Sequence, residues 1–189
     1  MSEGTIPFIY LTVSFYIHSN IIYVKKVLIF ILLASTFLGF TPDNASKKLP
    51  DITITDLQGK PVKIQEYAKQ SKFTVMSFWA TWCAPCKREL DAIGELYPEW
   101  VESYGVRLVA ITIDNARALT QVKPLIEEKG WEFDVLVDSK QELQQALNFQ
   151  AIPQTFVVDA EGNVLYQHEG YTPGDEYELE KIIKELSAK

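Results

Sequence analysis

The chain has 189 residues, of which 47% are hydrophobic and 23% charged, and its net charge is −7. That length suits one ordinary domain with an appendage. The acidic balance, without a basic face, argues against a nucleic-acid binder. Acidic side chains are scattered rather than gathered in a block, which reads as a soluble surface.

The first 46 residues differ from the rest. Two apolar stretches, Ile6–Val24 and Val27–Phe40, flank Lys25 and Lys26. The second has the length of a signal sequence and is short for a membrane span. A lysine pair just ahead of it forms a charged n-region and keeps that end cytoplasmic, so the body is expected to be exported. Bulky Phe37 stands two residues before Gly39 and spoils a small-x-small cleavage site. An uncleaved inner-membrane anchor formed by residues 27–40 therefore stays open beside cleavage. With no cysteine near residue 40, a thiol-linked lipid anchor is excluded. The first stretch holds Pro7, Ser14, His18, Ser19 and Asn20 with no positive charge ahead of it. It reads as a first span, or as sequence upstream of a true start at Val24. The expected organisation is a signal or anchor leader and linker over 1–46 and a folded domain over 47–189.

Thr41–Leu49 is polar and reads as a linker. Ile52, Ile54 and Leu57, a Gln58-Gly59-Lys60 turn, then Val62 and Ile64 predict a β-hairpin. Phe73–Trp79 is a short apolar run that suits a buried strand. A helix follows from Pro85 to about Tyr97, where Pro98 is expected to kink or restart it. Val106–Ile113 predicts a strand, Leu119–Lys129 a helix ended by Gly130, Phe133–Val137 a strand, and Lys140–Leu147 a helix. Thr155–Val158 and Val164–Gln167, joined by Glu161-Gly162-Asn163, predict a second hairpin. Asp175–Leu186 is an amphipathic helix. This order is an α/β pattern with a mixed sheet.

Cys83 and Cys86 are the only cysteines. So close a pair encloses too small a loop to stabilise the fold much by chain entropy. A closed zinc site needs four ligands, and the only histidines are His18 and His168, neither near a partner ligand in sequence. The remaining reading is redox. The strand ending at Trp79 delivers Cys83 to a helix start, where unpartnered amides and the helix dipole favour a thiolate. First thiols of such pairs have pKa values lowered to roughly 3.5–7.5. The Cys83 thiolate attacks a partner disulfide, and Cys86 resolves the mixed disulfide. Pro85 suits an early helical position because its missing N–H has no helical partner there anyway. Trp79 and Trp82 offer apolar surface beside the thiol or serve packing alone.

Phe78-Trp79 ahead of Trp82-Cys83-Ala84-Pro85-Cys86, with Ala151-Ile152-Pro153-Gln154-Thr155-Phe156 far downstream, resembles thioredoxin-like proteins. Within them the sequence is similar to the TlpA-like membrane-anchored reductases, a group that includes the cytochrome-c-maturation thioredoxins. The resemblance runs from about Leu49 to Lys189, including the leading hairpin and the extra strand–helix region near 114–137. It implies a thioredoxin-like α/β fold with an N-terminal β-hairpin and a strand–helix insertion. It implies a cis Pro153 packed against Cys83, with the Ile152 backbone free to pair with an incoming peptide. The implied partners are protein disulfides in the exported compartment and an upstream thiol electron donor. The implied redox group is the Cys83–Cys86 disulfide itself, with no cofactor and no metal. The sequence departs from ordinary thioredoxin at Ser77, where that protein has a buried aspartate. In common with the TlpA-like group it has a glutamate three residues after the second cysteine, Glu89. At that spacing Glu89 shares a helix face with Cys86 and either tunes or deprotonates its thiol, or is a solvated surface residue.

Reduction of exported disulfides is the leading expectation. A disulfide oxidase or isomerase is the alternative, because about 1.4 kcal/mol moves a two-electron potential by 30 mV. A peroxiredoxin-like peroxidase fits less well, since Met76 and Ala80 occupy the Pro and Thr places of that class's P-x-x-x-T-x-x-C signature. A redox-inert binding module sits poorly with a complete cysteine pair.

Overall fold

The computed structural model describes residues 47–188. Both apolar stretches, the lysine pair between them and the linker as far as residue 46 lie outside the described residues.

Strands β1 (Thr53–Asp56) and β2 (Pro61–Lys63) form the leading hairpin. Ile64 does not extend it: it opens a short helix, α1 (Ile64–Ala68), and is fully buried there. Strand β3 (Phe73–Trp79) is buried at every position. Such a continuous apolar run is what a strand covered on both faces requires. Helix α2 (Ala84–Tyr104) follows, then β4 (Val106–Thr112), a 3-10 turn (Ala118–Gln121), α3 (Val122–Lys129), β5 (Asp134–Val137) and α4 (Glu142–Ala146). Strands β6 (Gln154–Asp159) and β7 (Val164–Glu169) and helix α5 (Asp175–Ser187) complete the domain.

The seven strands form one sheet in the order β2-β1-β5-β4-β3-β6-β7. Pairs β3–β4 and β4–β5 are parallel and the others antiparallel. This is the thioredoxin-like α/β fold, extended by the leading hairpin and by the α3–β5 insertion. Helix α2 packs against α5 beside the sheet. Its inward side chains Cys86, Leu90, Ile93 and Trp100 meet a core that includes Phe78, Trp79, Leu108, Ile111 and Phe156.

Three local readings need correction. The helix expected to reach about Tyr97 is not restarted at Pro98 but runs through it to Tyr104 and ends at Gly105 with φ of 63°. Proline costs the Gly94 carbonyl its helical donor, but the last turns are held by Trp100, which is fully buried. The helix expected over Leu119–Lys129 is a 3-10 turn followed by α3, because Pro124 in the first turn of α3 has no N–H to continue a ladder from Thr120. Residues 47–49 are not free linker. Lys48 bridges to Asn163, the Leu49 amide donates to Gly162 O at 2.8 Å, and Leu49 is buried.

Candidate active site

The β3 strand ends at Trp79, and a three-residue loop carries the chain to Cys83, which caps α2. The Cys83 Sγ accepts from the Cys86 amide at 3.3 Å, and the two sulfurs form a disulfide. Cys86 is fully buried, whereas Cys83 keeps 4% of its surface. Pro85 lies in the first turn, where its missing N–H has no helical partner to lose. The loop is braced from below. Thr81 donates its amide and hydroxyl to the two carboxylate oxygens of buried Asp114, at 2.8 and 3.0 Å. Thr112 donates to the same carboxylate at 2.8 Å, and Lys87 Nζ donates to Thr81 O at 3.0 Å. Asp114 was not singled out in the sequence; only its place just after a strand hints at such a role.

The two tryptophans separate. Trp82 is 68% exposed, while Trp79 is fully buried and edge-on to Trp131 at 5.2 Å between centroids. Trp79 is therefore a core residue and offers no surface beside the thiol. The Ile152–Pro153 peptide bond is cis. Pro153 is buried, Ile152 is half-buried, and the Ile152 carbonyl oxygen lies 3.9 Å from Cys83 Sγ.

Glu89 is not a surface glutamate: 4% of it is exposed. Its Oε2 accepts from Ser77 Oγ at 2.8 Å and its Oε1 from Thr155 Oγ1 at 2.7 Å. Burial pushes its pKa up to about 7, against the pull of the Thr155 and Ser77 hydrogen bonds and of His168. Ser77, the point of departure from thioredoxin, thus gives its hydroxyl to a carboxylate that comes instead from α2. Thr155 and His168 were missed as neighbours of this group. They face each other across β6 and β7, and His168 Nε2 lies 3.3 Å from Asp175 Oδ2. Weighed as a zinc ligand, His168 has a carboxylate partner but no cluster: among the described residues no group of three or more His, Cys, Asp or Glu is placed to hold a metal ion.

A cysteine pair closing a disulfide at the head of the long helix of a thioredoxin-like fold defines a thiol–disulfide oxidoreductase. The chain belongs to the AhpC/TSA family, whose sequence model matches residues 45–167. It is 29% identical to the thiol-disulfide oxidoreductase ResA of Bacillus anthracis, over 86% of this chain and 95% of that protein. Among solved structures it is similar to a thioredoxin-like protein from Porphyromonas gingivalis, with 42% identity and a TM-score of 0.65, covering 74% of this chain and 92% of that one. A putative thiol:disulfide interchange protein DsbE from Chlorobium tepidum matches with 26% identity and a TM-score of 0.66, over 75% of this chain and 96% of that one. The likeness is thus to the wider group of ResA- and DsbE-named oxidoreductases and does not single out TlpA.

Proposed function

We propose that this protein reduces disulfides in exported proteins, with Cys83 as the attacking thiol and Cys86 as the resolving one. The observation that carries the assignment is the difference in access. Cys83 caps the helix beside exposed Trp82, whereas Cys86 is closed off entirely. A client sulfur therefore meets Cys83 first. The Ile152 carbonyl beside Cys83 supplies a backbone group for pairing with the client chain, and the cis bond to Pro153 follows it directly. Cys86 then attacks Cys83, releases the client thiol and leaves the dithiol oxidised, with two electrons passed to the client. An upstream thiol donor restores the reduced form. Glu89, a helix turn beyond Cys86, takes the Cys86 proton as that thiol becomes a nucleophile.

Residues 1–46 act in this reading as an export signal, with 27–40 as a membrane tether if they are retained. No helix among the described residues is long and apolar enough to cross a membrane. The reading draws support from the lysine pair ahead of Val27 and from a TlpA-like resemblance, in which membrane-anchored reductases prevail. A C-terminal alkaline phosphatase fusion is expected to be active, and an inactive one would overturn export.

Trapping tests the assignment of roles. Cys86→Ser should accumulate mixed disulfides through Cys83, visible as adducts on non-reducing gels, while Cys83→Ser should accumulate far fewer. The opposite pattern reverses the roles. The midpoint potential of the pair, measured against glutathione, then decides between reduction and the oxidase or isomerase alternative.

A further inference from the structure

The Glu89 carboxylate has a second side. It lines a small pocket between β6, β7 and the start of α5, together with Tyr166, His168, Tyr171 and Asp175. The pocket encloses about 10 Å³, room for about one water molecule. A proton taken up by Glu89 during resolution needs a way out at a moment when the client chain covers the Trp82 and Pro153 face. This pocket, between β7 and α5, is a second route from the carboxylate to solvent.

We propose that the pocket is the proton outlet of Glu89, and that His168, held by Asp175, is the residue at its mouth that passes the proton to solvent. This rests on the assignment of Glu89 as the acceptor of the Cys86 proton. The groups that face Glu89 leave His168 as the carrier. From β3 and β6 come only the hydroxyls of Ser77 and Thr155, both already donating to the carboxylate. From β7 comes Tyr166, whose phenol burial holds protonated above its ordinary range. Beyond β7, Tyr171 donates to Glu176 Oε2 at 3.0 Å and is pushed up to about 12, first by burial. From α5, Glu176 accepts from Tyr171 and from the Gly174 amide, and Asp175 accepts from the Thr172 amide at 2.7 Å while facing the His168 ring. An imidazole can accept a proton on one nitrogen and release one from the other. His168 is also partly open to solvent, its side chain 37% exposed.

The step balances as follows. The Cys86 thiol gives its proton to the Glu89 carboxylate. The Cys86 thiolate bonds to Cys83 Sγ, the bond from Cys83 to the client sulfur breaks, and the client sulfur leaves with the electron pair. As the thiolate forms, the proton moves on from Glu89 through the pocket to His168 and then to solvent, so that it does not return to Cys86 before the attack, and Glu89 is again a carboxylate.

Single-turnover release of thionitrobenzoate tests this. The reduced full-length protein is mixed with excess 5,5′-dithiobis(2-nitrobenzoate), which labels Cys83. A second chromophore is released when Cys86 resolves the adduct. Replacing the base, Glu89→Gln, should slow that second phase about 100-fold, at the low end for general base catalysis. His168→Gln should slow it by a smaller factor, on the order of tenfold, if an outlet contributes part of that term. Free imidazole should restore the rate of His168→Ala and leave Glu89→Gln slow. Wild-type rates in both His168 variants, or a slow His168→Ala that imidazole does not restore, would overturn the outlet while Glu89→Gln remains slow. A wild-type rate in Glu89→Gln would overturn the underlying assignment of Glu89 instead.

Discussion

On the outer side of the Cys83–Cys86 bond stand Trp82, more than two-thirds exposed, and the Ile152 carbonyl beside Cys83. On the inner side stands Glu89, nine-tenths buried or more, clasped by two hydroxyls from different strands. The outer side is apolar and open, suited to meeting many client chains. The inner side is polar, with each carboxylate oxygen of Glu89 hydrogen-bonded, and meets solvent only through a pocket of about one water molecule, an arrangement suited to holding one proton. On the roles proposed above, the difference teaches that the two halves of a dithiol reaction, sulfur exchange and proton transfer, fall in separate surroundings within one short stretch of helix.

The sharpest test sets the two tryptophans of that stretch against each other. Trp79→Ala removes a fully buried side chain packed on Trp131 and should cost about 3–5 kcal/mol by urea denaturation, the range for large aromatic deletions in cores. Next comes Glu89. Its carboxyl ordinarily titrates at 4.5 and is pushed up to about 7 in the fold. Between those values the unfolded chain is ionised there while the folded protein keeps the proton. The stabilising preference for the neutral form is therefore fully present below pH 4.5 and lost as pH rises to about 7. Relative to Glu89→Gln, the wild type should lose up to about 3 kcal/mol across that window, at about 1.4 kcal/mol per pKa unit. Parallel stability curves for the two would place Glu89 among ordinary surface carboxylates. The smallest stability effect belongs to Trp82→Ala, within about 0.5 kcal/mol of wild type because so little is buried. That variant should nonetheless slow reduction of a protein disulfide several-fold in an insulin turbidity assay. A large loss of stability would show that Trp82 packs, and the contrast between the two sides would fail.

The outer side was legible in the sequence because its signals are local. Cysteine spacing, Pro85 and the apolar run Phe73–Trp79 all lie within one strand-to-helix junction, and β3 has the expected bounds. On the inner side the i, i+3 spacing placed Glu89 on the face of Cys86 but left open whether it is buried. The depth of Glu89 depends on Thr155, sixty-six positions away, and on the pairing of β6 with β7, neither of which helical periodicity reports. The burial of Trp79 likewise depends on Trp131 in the inserted region. Local rules also misjudged short elements. Helix α1 has only five residues, too few for a periodic pattern, so Ile64 read as the end of a hairpin. The Leu49 contact with Gly162 joins distant segments and left residues 47–49 reading as linker.

That last contact fixes an orientation. Strand β6 begins beside Pro153 and runs to Asp159, so the turn that receives Lys48 and Leu49 lies about 20 Å from the dithiol, the length of a six-residue strand. The chain therefore enters the described domain at one pole and keeps its chemistry at the other.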